Sequence, residues 1–202
     1  MVHQASLDDV PSIKCFGTKL SKKESQQHLQ KLATSLPKLS FVLIEKCKLS
    51  NVPTELNAFT ELESLELPEN RLTELPSLVL PQLKYLSLTK NEYQKLPGTV
   101  ASLKSLLGLN ISNNYLQEIK SGALPPALET IDASGNGISI FPIAIGETLT
   151  LTKIDLSGNA LSLLPELGQL TNLTSLNLSN NQLTSLTNLS SMTSLKFLNL
   201  SK

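Results

Sequence analysis

The chain has 202 residues, and its 17 basic and 17 acidic side chains balance to a formal net charge of zero. Without an excess of charge there is no electrostatic reason to expect nucleic acid or an acidic membrane surface as a partner. The length suits one domain with a sizeable core. Trp is absent and aromatic residues make up only 4% of the chain, whereas Leu, Ser, Asn and Thr are abundant. This bias favours internal repetition over an enclosed active site.

Residues 1–38 do not follow the pattern of the rest of the chain. They lack the basic and apolar regions of a secretory signal, and no apolar run in the sequence reaches the roughly 18 residues of a membrane span. Residues 10–20 predict a degenerate strand and turn, with Val10, Ile13, Cys15 and Leu20 facing inward. A helix is predicted over about 21–36, because this segment begins with a Ser that can cap a helix and ends before a Pro. We interpret 1–38 as an N-terminal cap, or as a degenerate longer repeat with one helix.

From residue 39 onwards the chain repeats one pattern. Residues 62–76 read LESLELPENRLTELP, and the same frame starts again at 83, 106, 128, 151 and 173. An opening copy starts at 39 and an incomplete one at 195, so that successive copies are 21–23 residues apart. A sustained period of this length predicts a solenoid, because a single copy cannot bury its own apolar face and must stack on its neighbours.

The frame L-x-x-L-x-L-x-x-N-x-L-x-x-L-P resembles the leucine-rich repeat family, in its intracellular type with 21–23-residue repeats. The resemblance covers 39–202, as seven full copies and one incomplete copy. It implies an α/β fold, a curved, right-handed leucine-rich-repeat solenoid. In such a solenoid a parallel β-sheet forms the concave face, and short 3₁₀, helical or extended returns form the convex face.

The alternation of side chains along each strand determines which of them face the core. The fourth and sixth positions of each copy point inward, as Val42 and Ile44 do in the opening copy. The ninth position follows the strand, and an Asn amide there can pair with backbone groups that otherwise lack partners. We therefore predict a stacked structural ladder, with a buried thiol in place of Asn in the opening copy. Its members are Cys47, Asn70, Asn91, Asn114, Asn136, Asn159 and Asn181.

The remaining strand positions face outward on the concave side. In later copies these positions hold mostly Ser, Thr, Asn, Asp and Gly, whereas the earlier copies carry aromatic and charged residues. Phe41 and Tyr85 share one position two copies apart, and an aromatic pair rimmed by charges is typical of a protein-binding patch. Alternatively, the N-terminal segment covers Phe41 and Leu43, or they are ordinary exposed apolar residues. The predicted partner-binding residues are Phe41, Leu43, Glu45, Glu63, Glu66, Lys84, Tyr85, Asp132 and Asp155.

The sequence gives little support to catalysis. Both histidines lie outside the repeats, and the chain has no phosphate-binding Gly loop or paired-Cys metal motif. Asp132 and Asp155 occupy the same concave position in adjacent copies, a spacing that suits a shared proton or a cation. An open, solvated sheet nevertheless lacks the enclosure that makes such pairs catalytic. We expect no enzymatic activity, no cofactor and no metal.

The sequence favours an interaction module that binds a protein partner on the concave sheet face, in a scaffold or regulatory role. We expect a monomeric solenoid in the cytoplasm or nucleus that contacts neither nucleic acid nor membrane. Two alternatives stay open. One is the recognition domain of a larger signalling protein or enzyme, because the eighth copy stops before its Asn position. The other is an extracellular recognition receptor, against which the lack of cysteine-rich caps counts.

Overall fold

The strands stack in chain order into one parallel sheet. A computed structural model of the protein describes residues 12–16, 31, 35–36, 38–185 and 189–202. Within these residues the sheet has nine strands, and their order in the sheet follows their order in the sequence. This architecture confirms the predicted leucine-rich-repeat solenoid. The strands are β1 (Ser12–Phe16), β2 (Phe41–Glu45), β3 (Ser64–Glu66), β4 (Tyr85–Ser87), β5 (Gly108–Asn110), β6 (Thr130–Asp132), β7 (Lys153–Asp155), β8 (Ser175–Asn177) and β9 (Phe197–Asn199).

Every repeat position lies beside the same position of the next copy. Val42 of β2 pairs with Leu65 of β3, and Leu65 pairs with Leu86 of β4. The burial of β2 alternates, with Val42 and Ile44 buried and the residues between them half-buried. Because this register holds from strand to strand, the inward-facing Leu and Ile side chains form one continuous core along the described copies.

The returns on the convex side are short, as predicted. Two 3₁₀ helices, Thr54–Ala58 and Gly98–Ser102, and one α-helical turn, Ile143–Glu147, lie between strands. Each follows a Pro whose φ lies between −60° and −67°. Proline favours this place because its φ is fixed near that value and the start of a helix needs no N–H partner. Turns and extended segments complete the other described returns.

The eighth position of every full copy adopts a left-handed backbone, a feature that the repeat frame does not predict. Its φ lies between +54° and +63° in all seven full copies. Gly and Asn tolerate this conformation, and they occupy the position in the last four of these copies. The first three copies carry Lys, Glu and Lys there instead, so the signal is visible only in the later part of the sequence. The seven residues are Lys46, Glu69, Lys90, Asn113, Gly135, Gly158 and Asn180.

The strand expected within 10–20 is β1, which pairs with β2 in parallel from Ser12↔Phe41 to Phe16↔Glu45. This register places Ile13 and Cys15 beside Val42 and Ile44, but the side chains of β1 lie outside the described residues, as do Val10 and Leu20. The helix predicted over about 21–36 also lies mostly outside them. Of that range, Lys31 and Ser35 are helical, and the Ser35 hydroxyl donates a hydrogen bond to the Lys31 carbonyl at 3.0 Å. The division into a cap and repeats therefore stays a prediction.

Candidate functional site

The ninth-position Asn side chains tie each turn to the one before it. The Asn70 Oδ1 accepts hydrogen bonds from the backbone N–H groups of Cys47 and Leu49 at 3.0 and 3.1 Å. Its Nδ2 donates to the carbonyls of Ile44 and Leu67 at 2.8 and 3.2 Å. Asn70 is buried, so these bonds satisfy backbone groups that water does not reach.

The same arrangement repeats along the solenoid. Each later Asn accepts an N–H from the preceding turn and donates to carbonyls of both turns. In the opening copy the buried Cys47 thiol donates to the Glu45 carbonyl at 3.2 Å. The ladder thus holds the strand ends in place beneath the concave face. The later members are Asn91, Asn114, Asn136, Asn159 and Asn181.

Two columns of outward-facing side chains run along the concave face, because the strands pair in register. The first column collects the third position of each copy and the second column collects the fifth. The first column is Phe41, Ser64, Tyr85, Gly108, Thr130, Lys153, Ser175 and Phe197. The second column is Leu43, Glu66, Ser87, Asn110, Asp132, Asp155, Asn177 and Asn199.

Serine residues hold the side chains of the second column in fixed orientations. The Asp132 Oδ1 accepts hydrogen bonds from the Ser134 N–H at 3.0 Å and from the Ser134 hydroxyl at 2.6 Å. Asp155 and Ser157 repeat this geometry at 2.9 and 2.6 Å. The same motif recurs at three further pairs, which are Asn110–Ser112, Asn177–Ser179 and Asn199–Ser201.

Charges at the edge of the face pair with one another across turns. Lys46 Nζ lies 2.9 Å from Glu45 Oε1 and 3.5 Å from Glu69 Oε2, and Lys90 Nζ lies 3.0 Å from Glu69 Oε1. The hydrogen bond with Glu45 raises the pKa of Lys46, and attraction to both carboxylates adds to the shift. The hydrogen bond from Lys90 lowers the pKa of Glu69. These three turns therefore neutralise their own edge charges.

The carboxylates in the second column do not share this arrangement. Lys84 pairs with Glu63 at 3.0 Å where their strands begin. Among the described residues, however, no Lys or Arg lies within ion-pair distance of Glu66, Asp132 or Asp155. The three carboxylates in the middle of the face therefore have no ion-pair partner among the described residues.

The Tyr85 ring lies against Gly108, its neighbour in the column, which has no side chain to keep it away. A Cβ added to Gly108 would lie 2.8 Å from Tyr85 Cδ2, so the ring packs directly on that backbone. Burial raises the pKa of the Tyr85 hydroxyl, and the negative charge of Glu66 adds to the shift. Hydrogen bonds with Asn110 and Ser87 act in the opposite direction. Even so, 37% of the Tyr85 surface is exposed to solvent.

Gly108→Ala is expected to displace the Tyr85 ring and return the pKa of Tyr85 towards its ordinary value near 10. The added methyl occupies the place of the ring edge, so the ring loses burial. Tyrosinate absorbance during alkaline titration measures this pKa, and Tyr85→Phe assigns the transition. Gly98→Ala is the matched control, because a Cβ there meets nothing within 4 Å. An unchanged Tyr85 titration in Gly108→Ala would contradict the packing.

An open groove of about 360 Å³ crosses the concave face from β4 to β9. We call it the concave groove. Tyr85 forms one end, and Phe197, 51% exposed, forms the other. Its floor is formed by the Asx residues of the second column together with Thr130, Lys153 and Ser175 of the first. Its principal lining residues are Tyr85, Asn110, Asp132, Lys153, Asp155 and Phe197.

The structure brings some of the predicted partner-binding residues together and separates others. Tyr85, Asp132 and Asp155 line the concave groove. Phe41 and Leu43 are half-buried and lie outside it, although Phe41 pairs in register with Ser64 and so belongs to the column of Tyr85.

The predicted patch and the concave groove differ in two further respects. Glu45, Glu63 and Lys84 each form an ion pair within the chain, which reduces the charge that they offer to a partner. Sequence reasoning missed Phe197, since it lies in the incomplete copy. The repeat frame could have identified it, because Phe197 occupies the same repeat position as Phe41 and Tyr85.

The described residues provide no evident metal centre or membrane span. No three His, Cys, Asp or Glu side chains in the described ranges are grouped so that they would hold a metal ion. No helix in the part of the chain that the structure describes has the length and apolar character needed to cross a bilayer.

Known sequences share the repeat along most of this chain. The Leucine rich repeat model matches residues 81–138, and a model of two Leucine Rich repeats matches 149–191. Ras guanine nucleotide exchange factor V of Dictyostelium discoideum is 32% identical over an alignment of 189 residues that covers 77% of this chain and 10% of that protein. Human Toll-like receptor 1 is 31% identical over an alignment of 119 residues that covers 55% of this chain and 15% of the receptor. The chain thus spans only a small part of the length of these relatives.

Solved structures share the fold as well. An internalin of Listeria monocytogenes superposes with a TM-score of 0.68 at 27% identity, covering 86% of this chain and 51% of the internalin. The leucine-rich effector YopM of Yersinia pestis superposes with a TM-score of 0.67 at 29% identity, covering 81% of this chain and 44% of the effector. Together with the repeat frame and the stacked strands, these matches show that the chain belongs to the leucine-rich repeat family, whose fold is typical of protein–protein interaction.

Proposed function

We propose that the protein is an interaction module that binds another protein on its concave sheet face, in a scaffold or regulatory role. The observation that carries this proposal is the concave groove, in which two partly exposed aromatic rings stand at the ends of a polar floor. Protein interfaces are enriched in aromatic residues that act as anchors, surrounded by polar groups. Tyr85 and Phe197 fit the role of anchors.

The dimensions of the concave groove favour a protein segment over a small molecule. Tyr85 and Phe197 lie five strands apart in one column, which corresponds to about 24 Å at the usual spacing of strands. Small-molecule sites are more enclosed, since they surround most of the ligand. An extended or helical segment of a partner has the length to contact both rings. Phe41 and Leu43 extend the same face beyond Tyr85, and we include them in the proposed surface.

A second candidate is the recognition domain of a larger signalling protein. The similarity to Ras guanine nucleotide exchange factor V supports it, because the matching region is 10% of that protein. In this case the same concave face binds the partner, and the solenoid delivers it to another domain. We propose a cytoplasmic location for either form, which fluorescence imaging of the tagged full-length protein tests against the extracellular alternative.

Affinity capture with a blocked concave groove tests the proposed function. Thr130 lies in β6 on the floor of the groove, and Thr130→Trp is expected to fill it and to reduce partner capture at least tenfold. Thr171→Trp is the matched control, because Thr171 is exposed and lies outside the strand positions that face the concave side. Circular dichroism verifies that both variants fold. Full retention of every partner by folded Thr130→Trp would exclude binding in the concave groove.

The double variant Phe41→Ala plus Tyr85→Ala locates the partner along the face. Its two rings lie in one column at the N-terminal part of the sheet. Loss of capture places the partner across this part, whereas retention restricts it to the region between β5 and β9.

A further inference from the structure

The second column carries an unusual balance of charge. Its eight positions hold three carboxylates, Glu66, Asp132 and Asp155, and no cation. Lys153 lines the same concave groove from the first column, but it is not within ion-pair distance of either Asp. The groove is thus lined by two carboxylates, Asp132 and Asp155, and one ammonium group, so its lining is net negative even though the whole chain has a net charge of zero.

Three lysines of the earlier turns are already paired with carboxylates outside the groove. Lys46 and Lys90 share Glu69 at the edge of the face, and Lys84 is bound to Glu63. These lysines thus form ion pairs along the edge of the face, and none of them pairs with Glu66, Asp132 or Asp155. Uncompensated charge on a binding face selects a partner of opposite sign.

The two Asp side chains are held ready for such a partner. Each directs its Oδ1 to a Ser N–H and hydroxyl, which fixes the carboxylate before anything binds. The Asp155 Oδ2 accepts a hydrogen bond from Asn177 Nδ2 at 2.8 Å, whereas no donor among the described residues reaches Oδ2 of Asp132. Fixing a side chain in advance lowers the entropic cost of binding.

Tyr85 adds a second attraction for a cation. Its ring faces the same groove and is partly exposed, and a Lys or Arg over a tyrosine ring gains a cation–π interaction. Burial raises the pKa of Glu66, and repulsion from Glu45 adds to the shift. Glu66 pairs in register with Ser87 and does not line the concave groove, so it is not part of this site.

We infer that the concave groove recognises a protein segment that presents a Lys or Arg side chain, bound at Asp132 and Asp155 with Tyr85 beside it. The inference rests on the proposed function, because it names the chemistry of the partner for the same surface. Nucleic acid does not fit the floor, since phosphates and carboxylates repel each other. An Arg guanidinium fits it well, because its planar N–H groups form charge-assisted hydrogen bonds with carboxylates.

A random 12-residue peptide library selected on the intact chain tests this inference. Enriched peptides are expected to contain Lys or Arg and to bind at least tenfold more weakly when that residue is replaced by a neutral one, citrulline for Arg. The protein variant Asp132→Asn plus Asp155→Asn is expected to cause a similar loss. This change preserves the fold, because Asn110 and Asn177 already accept the same Ser hydrogen bonds. Affinity is also expected to fall as salt is added.

Matched variants separate the failure of this inference from the failure of the proposed function. Glu118→Gln is the control for the charge change, since Glu118 pairs with Lys120 at 3.4 Å and does not line the concave groove. If Thr130→Trp abolishes peptide binding while the double Asn variant retains it, the basic partner is wrong and the proposed function stands. Peptide binding that survives Thr130→Trp contradicts both the inferred basic partner and the proposed function. A library that yields no binder, or only binders without Lys and Arg, overturns the inference.

Discussion

Asn114→Ala is expected to lower the free energy of unfolding by about 2–4 kcal/mol. Asn114 is buried, and its Oδ1 accepts the Tyr93 N–H at 3.0 Å. Its Nδ2 donates to the carbonyls of Leu88 and Ile111 at 3.0 and 3.1 Å. After the change both carbonyls keep a bond from a neighbouring ladder Asn, but the buried Tyr93 N–H loses the only partner that the described residues give it. The unsatisfied N–H dominates the cost.

Urea unfolding, followed by circular dichroism, measures this loss. Asn51→Ala makes the same chemical change at an exposed position, where the hydrogen bond of Asn51 goes to Ser50, and is expected to cost less than about 0.5 kcal/mol. Asn114→Cys is expected to lie between the wild type and Asn114→Ala, because Cys47 occupies this position in the opening copy. Equal midpoints for Asn114→Ala and Asn51→Ala would show that the ladder contributes little to stability.

The repeat made most of the fold predictable from the sequence. Because side chains alternate along a strand, the face on which one residue lies determines the face of the next. The repeat period then gives the same assignment in every copy. For this reason the sequence predicts Val42 and Ile44 in the core, and the structure buries both. Phe41 and Leu43 were placed on the concave side, where they are half-buried. All four residues are apolar, so the repeat register and not apolar character separates the buried pair from the outward-facing pair.

The candidate site was less predictable, because it depends on how side chains of different turns meet. Lys46, Glu69 and Lys90 form their ion pairs from the left-handed eighth position, a backbone conformation that Lys and Glu residues do not themselves signal. The hydrogen bonds of Asp132 to Ser134 depend on a side-chain rotamer, although an Asx residue two positions before Ser recurs in five copies. Polar side chains have several available partners, and only the three-dimensional arrangement selects among them.

Tyr93→Ala is expected to lower the free energy of unfolding by about 3–5 kcal/mol, because it removes the largest fully buried side chain of the described core and leaves a cavity. Tyr93 occupies a repeat position that holds Leu or Ile in neighbouring copies. Its hydroxyl donates to the Glu74 carbonyl at 3.2 Å. Tyr93→Phe keeps the ring and loses only this bond, so it is expected to cost about 1 kcal/mol. Similar losses for both variants would contradict the packing.

Alkaline pH provides an independent readout of the same side chain. Burial raises the pKa of Tyr93 above its ordinary value, whereas a tyrosine in the unfolded chain ionises near pH 10. Above that pH the unfolded state has released a proton that the folded state retains, so stability falls by up to about 1.4 kcal/mol per pH unit. Tyr93→Phe lacks this proton but keeps every other titrating group. Its free energy of unfolding, measured in urea from pH 9 to 11.5, is therefore expected to fall less steeply with pH than that of the wild type. Parallel slopes would show that Tyr93 ionises as readily in the folded protein as in the unfolded chain.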